Sequence, residues 1–205
     1  MVPRLMLVTD RRLVAPGRLV EVVARAVDGG VDTVQVREKD LPDGPLEELL
    51  RAICRAAEGR AQVVVNGRPE LAFALGIGLH LPQDGGPGPQ PGGLPLWGRS
   101  VHSPASARQA AAERPDYLVA GPVFATSSKP QARPLGTAGL RAIVEAAAGL
   151  PVLAIGGILP DRLAQVIRAG AAGVAVRGFI LQAADPGAAA QQLARALACG
   201  QALPA

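Results

Sequence analysis

The chain has 205 residues, enough for one domain or for a single α/β barrel near its lower size limit. Hydrophobic residues make up 49% of it, yet only Phe73, Trp97, Tyr117, Phe124 and Phe179 are aromatic, which argues against the stacking platforms of single-strand nucleic-acid binding. Scattered charges, 21 basic against 17 acidic, leave +4 and form no run, so a small anionic ligand is a sharper expectation than a polyanion.

In chain order, short apolar runs alternate with longer amphipathic stretches rich in Ala, Leu and Arg. A strand is predicted at Arg4–Val8, ending in Thr9-Asp10-Arg11, then a helix at Arg18–Asp28. The second strand, Thr33–Val36, runs into Arg37-Glu38-Lys39-Asp40, and the helix Pro45–Glu58 follows. The third, Gln62–Val65, ends in Asn66-Gly67-Arg68 before a helix at Pro69–Leu75. The fourth, Gly78–Leu81, carries His80 and leads through Gln83 into Gly85–Pro95, a Pro/Gly-rich break where a helix is due. That break reads as a flexible surface loop without chemistry. The fifth strand, Leu96–Ser100, is followed by His102 and a helix at Pro104–Arg114. The sixth, Tyr117–Ala120, opens into the polar loop Gly121–Pro130 and a helix at Thr137–Ala148. The seventh, Pro151–Ile155, gives Gly156-Gly157 and a helix at Pro160–Arg168. The eighth, Gly173–Val176, gives Arg177-Gly178, with a last helix at Pro186–Ala198 and a tail, Cys199–Ala205, expected to fray.

Strands alternating with helices imply parallel strands and right-handed crossovers. Eight such units imply one domain, a closed (β/α)8 TIM barrel. An open doubly wound sheet is the alternative, but no GxGxxG follows the first strand. Pro69, Pro104, Pro160 and Pro186 stand at first helical turns, and Gly29-Gly30, Gly149 and Gly170 lie just past helix ends. Cys54 and Cys199 have no CxxC or His partner nearby and read as reduced thiols of a cytoplasmic protein. No signal-peptide pattern and no apolar run of about 18 residues is present, so neither export nor a membrane span is expected.

Barrel active sites lie at the C-terminal strand ends. Gln35, Arg37 and Lys39 alternate, so in a strand all three face one way. Inward cations are costly unless an anion answers them. The plainer alternative is a rim salt-bridge cluster with Glu38 or Asp40. Gly156-Gly157 and Val176-Arg177-Gly178 follow the seventh and eighth strands, the usual barrel phosphate site, against the plainer reading of two tight turns. Thr126, Ser127 and Lys129 can hold a second anionic group or form a lid, or merely an ordinary Ser/Pro loop. No cluster has metal-ligand spacing, and no GxSxG or P-loop occurs. His80 and His102, the only histidines, are candidates for proton transfer, although a lone His is more often a satisfied polar residue.

The ordered blocks VTDR, QVREKD, VNGR, HLPQ, GRSVHS, GPVFATSSKP, AIGGI and GVAVRGFI resemble the thiamine phosphate synthase/TenI superfamily over roughly residues 6–198. The resemblance implies a (β/α)8 barrel and one of two activities. Synthases join hydroxymethylpyrimidine pyrophosphate to a thiazole phosphate with magnesium, releasing pyrophosphate. TenI-type tautomerases aromatise a thiazole carboxylate phosphate by moving a proton, with no metal implied. Synthases typically read N-D-R where this chain has Asn66-Gly67-Arg68, the Asp being a magnesium ligand. In a second family block, like HxGQxD, the ligand position falls on Gly85, with Asp84 adjacent. TenI-type proteins can carry an acid/base His where this chain has Pro122, so GPVF is the synthase-like spelling.

The first reading is therefore a TenI-like thiazole tautomerase, an isomerase. His102 is the first candidate acid/base and His80 the second, with Lys39 contributing if its surroundings favour a neutral amine. Gln35, Arg37, Lys39, Asn66, Ser100, Thr126, Ser127 and Lys129 are expected to bind substrate. Gly156, Gly157, Val176, Arg177 and Gly178 are expected to hold its phosphate. The second reading is a thiamine phosphate synthase, a transferase, and the third a non-catalytic sensor of a phosphorylated ligand. No cofactor is expected, magnesium belonging only to the synthase reading. The expected partner is a phosphorylated thiazole, without nucleic acid or membrane; a homodimer stays open.

Overall fold

The computed structural model describes residues 2–90, 92–128 and 130–201. Eight short strands carry the barrel: β1 Leu5–Val8, β2 Thr33–Val36, β3 Gln62–Asn66, β4 Gly78–Leu81, β5 Trp97–Val101, β6 Tyr117–Ala120, β7 Val152–Ile155 and β8 Gly173–Val176. Every neighbouring pair is parallel, and β8 pairs back onto β1 through Leu5–Val174, Met6–Ala175 and Leu7–Val176. That pairing excludes the open sheet.

Strand period two divides the barrel into two cores. Outward residues such as Leu7, Val34, Val65, Leu118 and Val174 join the helices in one large cluster. Inward residues form a smaller one, with Met6, Val8, Val64, Tyr117, Val119, Leu153 and Ala175 filling the barrel. The polar inward residues Gln35, Asn66, His80 and Ser100 come from strands next to one another, β2 to β5.

The helices are α1 Leu19–Asp28, α2 Asp43–Ala57, α3 Pro69–Leu75, α4 Pro104–Ala112, α5 Gly136–Ala146, α6 Leu163–Arg168, α7 Gly178–Leu181 and α8 Pro186–Gln201. In α2 the buried residues Leu46, Leu50, Ile53 and Ala57 recur at helical spacing, one stripe against the strands. Fully burying each large one contributes about 1.5–3 kcal/mol. In α4, Ser103 and Ser106 form a reciprocal capping box ahead of Pro104 at the first turn.

Besides shifts of one or two residues at element ends and a 3-10 turn at Arg11–Leu13, four details differ from expectation. Residues 160–168 begin as a 3-10 turn, Pro160–Arg162, before α6. The short α7 falls where no helix is predicted. The last helix runs through Cys199 to Gln201, beyond the expected start of fraying, while residues 202–205 lie outside the described set.

The fourth is the Pro/Gly-rich segment, which is anchored at its start. Arg99, 4% exposed, points outward from β5. It donates to the carbonyls of Pro82 (3.2 Å), Gln83 (3.1 Å) and Gly86 (2.6 Å) and pairs with Glu113 at 2.8 Å. Glu113 also accepts from the Gly88 amide at 2.7 Å. A buried cation with its charge answered and four acceptors in reach replaces the missing helix as the organiser of this connection. Among the described residues no helix is long and apolar enough to cross a membrane, and both cysteines are unpaired.

Candidate functional site

A cavity of about 680 Å³ opens at the C-terminal ends of the strands. Gln35, Arg37, Lys39, Asn66, His80, Ser100 and His102 line it from β2 to β5 and the turns after them. Thr126 and Ser127 line it from the loop after β6. Gly156, Gly157, Val176, Arg177 and Gly178 line it from the turns after β7 and β8. Every residue expected at the site is therefore brought together except Lys129, which lies outside the described residues.

β2 ends at Val36, so only Gln35 of the alternating trio is in the strand, its amide reaching Met6 Sδ at 3.6 Å. Arg37 and Lys39 reach the cavity from the turn instead. The rim salt-bridge reading fails for Arg37. Glu38 is turned away: it accepts from Thr9 Oγ1 (2.7 Å) and the Arg11 amide (3.1 Å) and pairs with Arg11 at 3.2 Å. Asp40 also pairs with Arg11, at 2.8 Å. Arg37 is half-buried, and burial, then the nearby Arg177, pushes its pKa down from the ordinary guanidinium value. A desolvated cation facing a second one is an arrangement an anionic ligand would relieve.

Arg177 lines the cavity but is tethered to Asp10, Nη1 to Oδ2 at 2.9 Å. Asp10 also takes Arg12 Nε at 2.9 Å. The Arg12 hydrogen bond, against the opposing effect of burial, holds its carboxyl below the ordinary range. At the expected phosphate turn, Gly157 has φ +63°, and a Cβ there would lie 2.6 Å from Ala125 O and 2.7 Å from Phe124 Cβ. Only glycine lets the turn after β7 press against the loop after β6 so closely. Arg162 was not expected at the site; it braces this turn by donating to Gly157 O at 2.8 Å while stacked 4.9 Å over the Phe124 ring. Its sequence position, inside a predicted helix, conceals that role.

The two histidines differ in kind. His80 is buried in the barrel, with Nδ1 3.1 Å from Tyr117 Oη and Nε2 2.9 Å from Ser100 Oγ. Burial, then Arg99 and Arg37, pushes its pKa down to about 3. A neutral imidazole with both nitrogens occupied suits a relay rather than acid–base exchange with a ligand. His102 is exposed, and its Nδ1 donates to the Gly121 carbonyl at 2.6 Å. In the neutral ring Nε2 then has the lone pair, as a general base needs.

The residues present do not fit a carboxylate-held magnesium ion. Among the described residues lining the cavity there is no Asp or Glu. Asp10, Glu38 and Asp40 are committed to arginines. Asp84 lines a separate cavity with Arg99 and Glu113, so it does not substitute for a carboxylate at position 85. A Cβ on Gly85 would stand 2.7 Å from Pro82 Cδ, so the fold leaves no room for an Asp there without moving Pro82. At Gly67 (φ +65°) the nearest atom to a Cβ is Pro82 Cδ at 3.9 Å, so space exists but the backbone is left-handed.

The sequence family described as thiamine monophosphate synthase, TMP-TENI, matches residues 5–180. The chain is 45% identical to the thiamine-phosphate synthase of Anaeromyxobacter dehalogenans, covering 86% of this chain and 82% of that one. It is 43% identical to that of Moorella thermoacetica, covering 84% and 85%. Among solved structures, the thiamine phosphate pyrophosphorylase from Pyrococcus furiosus superposes with a TM-score of 0.84 at 32% identity, covering 96% of each chain. A 3-hexulose-6-phosphate synthase, at 20% identity and a TM-score of 0.74, shares the fold alone.

Proposed function

This chain belongs to the thiamine monophosphate synthase family, enzymes of thiamine biosynthesis, and from that membership we propose that it is itself a thiamine-phosphate synthase. The observation that carries this reading is the shared name of its relatives, matched across most of both chains. It moves the transferase, second in the sequence reading, ahead of the tautomerase.

In this reaction the thiazole nitrogen gives its electron pair to the methylene carbon of the pyrimidine. The carbon–oxygen bond to pyrophosphate breaks, and pyrophosphate leaves with the electrons of that bond. The chain's part is to hold both partners in line and to meet the charge that develops on the leaving group. Arg37 and Lys39, with the hydroxyls of Thr126 and Ser127, suit the pyrophosphate. The glycine turns after β7 and β8 suit the thiazole phosphate. With no carboxylate among the described residues at the mouth, the leaving charge falls on side-chain cations.

Two observations favour a second reading, thiazole tautomerase: a lining without Asp or Glu among the described residues, and His102 at the cavity with Nδ1 held by the Gly121 carbonyl. A single comparison separates the readings. The purified protein is given both synthase substrates, with Mg²⁺ and with EDTA, and separately the thiazole carboxylate phosphate. Thiamine phosphate formation supports the proposal. Aromatisation without thiamine phosphate replaces it with the tautomerase. Binding with turnover of neither leaves the non-catalytic sensor.

A further inference from the structure

From deep in the barrel up to the cavity, three side chains from three consecutive strands stand in a row. Tyr117 rises from β6, His80 from β4 and Ser100 from β5. The Tyr117 ring lies against Gly98, where any side chain would collide with it, and is fully buried. Its hydroxyl has one hydrogen-bond partner among the described residues, His80 Nδ1 at 3.1 Å. His80 Nε2 in turn has Ser100 Oγ at 2.9 Å. Ser100 is only partly buried and lines the cavity.

Such a row can run in two directions, and the chemistry of its inner end chooses between them. The Tyr117 hydroxyl carries one hydrogen that must be donated or left unmade in the core, the costlier arrangement. Nδ1 of His80 is the acceptor in reach, so Nδ1 carries no hydrogen. A neutral imidazole then carries its hydrogen on Nε2, which donates to Ser100 Oγ. Burial holds His80 neutral and raises the Tyr117 pKa, so neither the imidazolium nor the phenolate competes. Ser100, having accepted from below, has its own O–H left to give upward.

We infer that Tyr117 is a positioning residue that fixes the His80 tautomer, so that Ser100 meets the ligand as a hydrogen-bond donor and selects an acceptor atom bearing no hydrogen. Aromatic ring nitrogens and phosphoryl oxygens are the acceptors of that class in the proposed substrates. The direction of the row stands without the proposed function; the choice of these acceptors rests on it.

The test has a spectroscopic arm and a binding arm. Nitrogen-15 NMR of the unligated protein at pH 7, with His102→Asn used to assign the two imidazoles, should show His80 Nδ1 as pyridine-type and Nε2 as pyrrole-type. The reverse assignment overturns the inference, whatever the enzyme does. In Tyr117→Phe, which keeps the ring, the Nε2 signal should move toward the exchange-averaged position. Binding of inorganic pyrophosphate and of hydroxymethylpyrimidine is then measured by calorimetry. Ser100→Ala and Tyr117→Phe should each weaken the same one of the two by about fivefold, identifying the acceptor as phosphoryl or ring nitrogen. The double variant should weaken it little further. Unchanged affinity for a probe that binds the unaltered protein overturns the donor role. If neither probe binds the unaltered protein, the proposed function fails, while the tautomer still decides the inference.

Discussion

His102 is held by the residue next to the one that would replace it. Its Nδ1 donates to the Gly121 carbonyl at 2.6 Å, and Gly121 precedes Pro122, the position at which a TenI-type tautomerase can carry its histidine. The carbonyl accepts only, so an imidazole hydrogen sits on Nδ1, and in the neutral ring the lone pair is on Nε2. His102→Asn keeps an N–H near the carbonyl but removes the base. Under the second reading, thiazole tautomerase, it should slow aromatisation of the thiazole carboxylate phosphate by at least about tenfold. Rates are compared in a single-turnover assay, and an unchanged rate removes His102 from the proton-transfer role.

Arg37 sets stability against binding. It is half-buried, its carboxylate neighbours are taken by Arg11, and it faces Arg177. Replacing it by Leu removes a desolvated charge and should leave the unligated protein equally stable or up to about 1 kcal/mol more stable. The same change should weaken inorganic pyrophosphate binding at least about tenfold, the loss of a charge-assisted contact. Urea unfolding and calorimetry read the two effects. A variant that binds pyrophosphate as well as the parent places the anion elsewhere.

Much of this arrangement is legible in the chain because a barrel converts order in sequence into order around a ring. Thr33–Val36, Tyr117–Ala120 and Gly173–Val176 carry β-branched or aromatic residues, Gly78–Leu81 is a short run closed by Pro82, and the structure keeps the predicted bounds of all four. Polar residues just past those runs gather at one mouth because all eight strands are parallel. What escapes prediction has no local signal. Gly178–Leu181 is too short to show a helical period. Arg99 answers backbone carbonyls, which carry no mark in sequence. The Tyr117–His80 contact spans 37 residues and exists only once β4, β5 and β6 are side by side.

Gly67 and Gly85, the two positions where the family pattern has carboxylates, should respond differently to Asp. Gly67 has a left-handed φ of +65° but open space, and Asp tolerates that conformation at about 1 kcal/mol. Gly85→Asp meets Pro82 at 2.7 Å and should cost about 1–3 kcal/mol as overpacking. Adding Pro82→Gly should recover part of the second loss and none of the first. Denaturant midpoints of the single and double variants measure this, and a Gly85→Asp loss that Pro82→Gly leaves unrelieved refutes the steric account.

His80 should make the protein acid-sensitive in a window of its own. Its pKa, about 3 when folded, lies below the ordinary imidazole value of 6.5 because burial opposes the charged ring. Between those values the unfolded chain binds a proton that the folded chain refuses. The stability tied to neutral His80 is therefore complete above about pH 6.5 and is lost as pH falls toward 3, at up to about 1.4 kcal/mol per unit. Asp10 and Asp40, also held low, lose their contributions only below about pH 4, the ordinary carboxylate range. A fall in unfolding free energy of about 1–2 kcal/mol between pH 6.5 and 5 thus reports the imidazole. In His80→Gln, which has no titrating ring, that segment should flatten although the variant is less stable throughout. Urea titrations at half-unit intervals decide it, and a parent profile already flat there would mean His80 accepts a proton inside the folded barrel.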